Sequence, residues 1–128
     1  MTAYLDTSAL AKLVSREVET DTLRHFLADT TVVTSAIART ELLRVGLRLG
    51  ERQVATADAV LSGVAEVAVT RDRLDRAGRL PPAPMRSLDA LHLVTALDLG
   101  ADLDVLVAYD ERLLDAARQH GLTTASPS

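Results

Sequence analysis

Apolar positions follow two alternating rhythms along the chain. Short apolar or β-branched runs at Ala3–Leu5, Thr31–Thr34, Val64–Val69 and Val105–Ala108 each predict a strand, and Leu122–Thr124 predicts a last edge strand. Between them the apolar spacing is helical. Helices are expected over Ser8 to Val14 and Val18 to Ala28, then from an N-cap at Ser35 to about Leu49. After the break at Gly50 another helix reaches about Leu61, and a short one lies around Arg73–Ala77. Ser87 is expected to cap a helix from Leu88 to Leu99, stopped by Gly100; the final helix runs from Glu111 to Gln119 and is closed by Gly121.

Strand and helix alternate throughout. This predicts an α/β fold in three layers, α/β/α, around a mostly parallel sheet of four to five strands. Ligands of such sheets bind beyond the carboxyl ends of the strands. The one Pro-rich stretch, Leu80-Pro81-Pro82-Ala83-Pro84, is too short to separate domains, so residues 1–128 are expected to form one domain.

Composition narrows the chemistry. Hydrophobic residues make up 48% of the 128 and charged residues 25%, ordinary for a globular protein. No apolar run is long enough for a membrane span, and Met1–Asp6 does not read as a secretory leader. With no cysteine, thiolate metal sites and disulfides are out, and a cytoplasmic location is expected. His25, His92 and His120 are too scattered for a zinc-type pair, so any metal should be a hard cation held by oxygen. Three aromatic residues, Tyr4, Phe26 and Tyr109, do not make a base-stacking sheet. The net charge is −4 but uneven: residues 39–86 carry nine arginines against six acids, and residues 87–128 two arginines against seven acids. A polyanion can dock on the first segment while a cation binds the second; for a single arginine a solvated helix face is the more ordinary role.

Four carboxylates stand out. Asp6 directly follows the first strand and Asp110 the fourth, both at the ligand-binding edge, although each also suits a helix cap. Asp89 opens a helix, Leu88 to Leu97, that is apolar almost all round and therefore buried. A buried carboxylate without a partner costs several kcal/mol (roughly), so a cation or a hydrogen-bond network must offset it. His92, one turn along, is one candidate partner, though a satisfied core histidine is the commoner case. Glu41 borders the expected apolar arc of Ala38, Leu42, Val45 and Leu49, which suggests partial burial. Brought together, such carboxylates repel by ~3 kcal/mol per pair at about 5 Å and an effective dielectric of 20, and a divalent cation removes the conflict.

These residues resemble the acidic motifs of the PIN-domain nucleases, and specifically of VapC-type toxins of toxin–antitoxin pairs, over about residues 1–125. Tyr4-Leu5-Asp6-Thr7-Ser8-Ala9-Leu10 is similar to the first motif and Thr34-Ser35-Ala36-Ile37-Ala38-Arg39-Thr40-Glu41-Leu42 to the second. Ser87-Leu88-Asp89-Ala90-Leu91-His92-Leu93-Val94-Thr95-Ala96 is similar to the third, the most specific, and Tyr109-Asp110-Glu111-Arg112-Leu113 to the fourth. Many members carry Thr or Ser where this chain has Ala108, and that hydroxyl would bond within the cluster.

The resemblance implies a three-layer fold and an endoribonuclease dependent on Mg2+, with Mn2+ as a substitute. It also implies a homodimer, and a cognate antitoxin as partner. Asp6, Glu41, Asp89 and Asp110 would be the catalytic metal ligands, with Ser8 supporting them. Leu43 and Leu47 lie opposite the expected core side of their helix and could meet the 51–61 helix, a second copy or the antitoxin. Two other readings exist. One is a PIN-like interaction or RNA-binding module without catalysis. The other is a phosphatase-like domain, disfavoured because Ser8 replaces the second acid and Lys12, the only lysine, lies early.

Overall fold

The computed structural model describes residues 1–128. Five strands form one sheet: β1 (Thr2–Leu5), β2 (Thr31–Ser35), β3 (Ala65–Val67), β4 (Val105–Val107) and β5 (Thr124–Ala125). Seven α-helices connect them: α1 (Thr7–Val14), α2 (Thr20–Leu27), α3 (Ile37–Leu49), α4 (Glu51–Ser62), α5 (Arg71–Arg79), α6 (Ser87–Asp98) and α7 (Glu111–Gln119). The strand order is β3-β2-β1-β4-β5, and every pairing is parallel.

The period-2 geometry of a strand sends successive side chains to opposite faces, and the two cores follow from it. Ala3 and Leu5 of β1 join Val105 and Val107 of β4 in a core closed by Ala9, Leu10, Leu23, Ala38, Leu42, Ala57 and Leu61 of α1 to α4. Tyr4, Val33, Leu106 and Ala108 face the other way, against Leu93 and Ala96 of α6 and Leu113, Leu114, Ala116 and Ala117 of α7. This is the expected three-layer arrangement. The chain builds β1, β2 and β3 outward on one side, then crosses to the other for β4 and β5. Direction reverses beside β1, and the carboxyl ends of β1 and β4 flank this switch point, where ligands of such sheets bind.

Several boundaries differ from the sequence reading. Ser35 ends β2 rather than standing immediately before the helix, yet its hydroxyl still accepts from the Ile37 N–H at 3.2 Å. Ser87 is the first helical residue, and Arg86 takes the N-cap position without a side-chain cap. The last strand begins at Thr124, because the Leu122 N–H bonds back to the Ala117 carbonyl behind Gly121 in its left-handed turn (φ 86°). The buried line of α3 is Ala38, Leu42 and Gly46, while Leu49 is exposed.

Gly46 explains that shift. A Cβ on Gly46 would lie 2.9 Å from the Gln53 carbonyl oxygen and 3.0 Å from Val54 backbone atoms, so α4 presses directly on this turn of α3. Leu43 packs on the core from the same helix, and Leu47 lines a shallow hollow with Val54 and Asp58 of α4. Gly46→Ala is expected to destabilise by about 1–3 kcal/mol, because backbone must yield despite alanine's better helix propensity. Urea denaturation of the variant checks this; equal or higher stability would refute the close approach.

Candidate active site

Each carboxylate is placed by a local rule. The first turn of a helix leaves backbone N–H groups free, and a short acidic side chain at the N-cap fills one. Asp6 follows β1 and caps α1, accepting from the Ala9 N–H at 3.0 Å. Asp110 follows β4 and caps α7, accepting from the Arg112 N–H at 2.8 Å. Capping thus accounts for one oxygen of each. Asp89 stands in the first turn of α6 and Glu41 in the second turn of α3.

Asp6 is 4% exposed. Burial pushes its carboxyl above the usual carboxylate range; the Ser8 hydroxyl and the Ala9 N–H pull the other way, and the charge of Asp89 adds to the rise. Asp6 and Asp89 therefore feel each other's charge. The Ser8 hydroxyl reaches both Asp6 oxygens, at 2.7 and 2.9 Å, and accepts from the Tyr109 N–H at 3.1 Å, so one side chain ties the ends of β1 and β4 together.

Glu41 is fixed from behind. The Thr7 hydroxyl donates to its Oε1 at 2.7 Å, and His92 Nε2 lies 3.1 Å from the same oxygen. The other ring nitrogen, Nδ1, is 2.6 Å from the Tyr4 hydroxyl. Burial, and secondarily the charge of Asp6, raises the Tyr4 pKa, so that hydroxyl keeps its proton and donates it to Nδ1. Nε2 then carries the ring proton and donates to Glu41. Burial alone would push the Glu41 carboxyl up, but the bonds from His92 and Thr7 outweigh it and hold the carboxyl low. Oε2 of Glu41 has no protein partner.

Asp89 and Asp110 share a guanidinium. Arg86 Nε donates to Asp89 at 3.0 Å, and Arg86 Nη2 contacts Asp110. The partner of Asp89 is thus Arg86 and not His92, which belongs to the core and to Glu41. Ala108 is fully buried in the sheet's second core, and Asp110 takes its support from Arg112 and Arg86.

No three His, Asp or Glu side chains close around one point at ligand distance. Asp6 turns to Ser8, Glu41 to Thr7 and His92, and a cationic side chain lies between the other two. The donor set is nonetheless oxygen only, with two carboxylates already arranged around one positive charge, and it fits a hard divalent ion. Sequence reading missed Arg86, Thr7 and Tyr4. Arg86, at the i−3 position of Asp89, was readable as an ion-pair spacing but counted only within the basic middle segment.

The PIN-domain family profile matches residues 3–119. The chain belongs to the PIN-domain family. It is 43% identical to Ribonuclease VapC46 of Mycobacterium tuberculosis over 98% of this chain and 97% of that protein. It is 40% identical to Ribonuclease VapC47 of the same species over 97% and 96%. These relatives put it among the VapC proteins of the family. Two solved structures share the fold. M. tuberculosis VapC20, described as a sarcin-ricin loop cleaving toxin, superposes with a TM-score of 0.77 at 21% identity, covering 98% of this chain and 99% of VapC20. VapBC2 from Rickettsia felis, bound to a DNA fragment from its promoter, gives 0.75 at 15% identity with full coverage of both chains. In this PIN domain no helix is long and apolar enough to cross a membrane.

Proposed function

We propose that this PIN domain is a divalent-metal-dependent endoribonuclease, the toxin of a toxin–antitoxin pair. The observation that supports the reading is the bridging of Asp89 and Asp110 by Arg86, with Asp6 capping α1 straight after β1 and Glu41 held by Thr7 and His92. The kinship with VapC ribonucleases supplies the substrate class, and the VapBC2 neighbour supports an antitoxin as partner. Homodimerisation belongs to the same reading.

Asp6 and Asp89 would hold Mg2+ or Mn2+, and Asp110 and Glu41 would complete its surroundings directly or through water. When bound, the ion supplies an activated water and shields charge on the scissile phosphate. Glu41, locked through Oε1, offers Oε2 to orient that water. Ser8 keeps Asp6 aimed by spanning both its oxygens. Arg44 and Arg48 form no ion pair and line a shallow hollow with Thr7, Thr40 and Glu41, where they can take RNA phosphates without reading sequence. Arg39, Arg73 and Arg76 are tied to Glu66 and Asp98 and serve the fold.

The test is cleavage of structured RNAs by the purified protein with Mn2+ and with EDTA. Cleavage is expected with the ion, lost on chelation and restored by adding it back. Metal-independent cutting, or none with either ion, would overturn the reading.

A further inference from the structure

Arg86 is the one cationic side chain that touches two members of the acidic set. Its position is set by backbone: it occupies the N-cap of α6 in extended conformation (φ −69°, ψ 152°), three residues before Asp89. Asp89 and Asp110, by contrast, are well covered, with side chains 13% and 25% exposed, while Arg86 is 63% exposed. The stem of Arg86 is thus largely in solvent, and the guanidinium is pinned only by the two carboxylates it joins. Without it, two half-buried carboxylates would stand side by side with no positive charge between them.

We infer that Arg86 is an exchangeable counter-cation. It holds Asp89 and Asp110 together in the metal-free protein, yields them to a divalent ion, and the released guanidinium takes a phosphate of the RNA strand. This rests on the metal-dependent nuclease reading above. A doubly charged ion held by Asp89, with Asp110 beside it, would repel the guanidinium and compete for the same oxygen lone pairs. A planar fork that matches a carboxylate also matches a phosphate, and an exposed stem lets it swing without disturbing the core. Arg86 is therefore a positioning residue with two successive anionic partners.

The two halves predict opposite signs, which a merely structural role would not give. Arg86→Met keeps the aliphatic stem and removes the charge. Calorimetric titration with Mn2+ is expected to show binding about tenfold tighter than wild type, within the usual range of coupling between competing sites. Fluorescence anisotropy with labelled single-stranded RNA, using Ca2+ to hold back cleavage, is expected to show binding several-fold weaker. Arg86→Lys, with the charge but no fork, should fall between on both. In the metal-free state Arg86→Met should melt below wild type at low salt, and saturating Mn2+ should close the gap. Unchanged or weaker Mn2+ binding by Arg86→Met overturns the exchange, and unchanged RNA binding overturns the phosphate contact. If wild type itself binds no Mn2+, the nuclease reading fails first and the exchange with it, a result distinct from equal binding by both proteins.

Discussion

Asp6→Asn is expected to lower metal-dependent RNA cleavage by about a thousandfold while leaving the protein folded. Asparagine keeps an oxygen for the Ala9 N–H and the Ser8 hydroxyl, so the cap and the tie to Tyr109 survive. What is lost is a negative charge in a buried position. That charge is unfavourable in the metal-free protein, because burial and Asp89 raise the Asp6 carboxyl above its usual range. The sign of the stability effect follows. A carboxyl whose folded pKa exceeds its unfolded value contributes stability that is full at low pH and lost as pH rises through the folded value. Metal-free Asp6→Asn should therefore melt at least as high as wild type at pH 8, and the gap should close on acidification. Circular dichroism melts across pH, beside cleavage rates, check both halves. A variant that cuts RNA as fast as wild type would refute the role of Asp6, and one that is unfolded would refute the account of its cap.

His92→Leu is expected to cost about 2–4 kcal/mol of stability. His92 is 2% exposed and stands between Tyr4 and Glu41. Leucine fills much of its volume but takes away the acceptor of the buried Tyr4 hydroxyl and removes a donor from Glu41. Adding Tyr4→Phe to His92→Leu should restore part of the loss, since the stranded hydroxyl goes with it; that rescue separates a hydrogen-bond penalty from a packing one. Cleavage should drop by about 10- to 100-fold, because Glu41 then keeps only the Thr7 hydroxyl. Additive effects of the two substitutions would show that the Tyr4–His92 bond contributes nothing.

The layers, the parallel sheet and the placement of Asp6 and Asp110 were legible in the sequence because each follows from local pattern: a strand, then an acid able to cap the next helix. Asp89 was legible from the apolar helix around it. Glu41 was found from a helical projection whose arc was partly misplaced. Val45 and Leu49 looked like core positions, but the pressure of α4 on Gly46 rotates the buried line away from Leu49. Ser8 was legible as a support of Asp6 from the first motif, but the other supports of the site were not. Tyr4 and His92 are far apart in sequence, and a strand tyrosine that bonds a helix histidine looks like any other apolar pair. Arg86 looked like one arginine among nine until the fold set Asp110 beside it. Ala108, expected as a missing hydroxyl, is a fully buried small side chain in the sheet's second core.

β4 is the strand that completes the centre of the sheet: Val105 pairs with Ala3, so nearly the whole chain separates two neighbours. Such distant pairing forms late. β1, β2 and β3 precede β4 in the chain, and Asp110 takes its place beside β1 only once Val105–Val107 have paired with Ala3–Leu5. A chain cut short before Val105 carries Asp6, Glu41 and Asp89 but has neither β4 nor Asp110, and the centre of its sheet stays open beside β1.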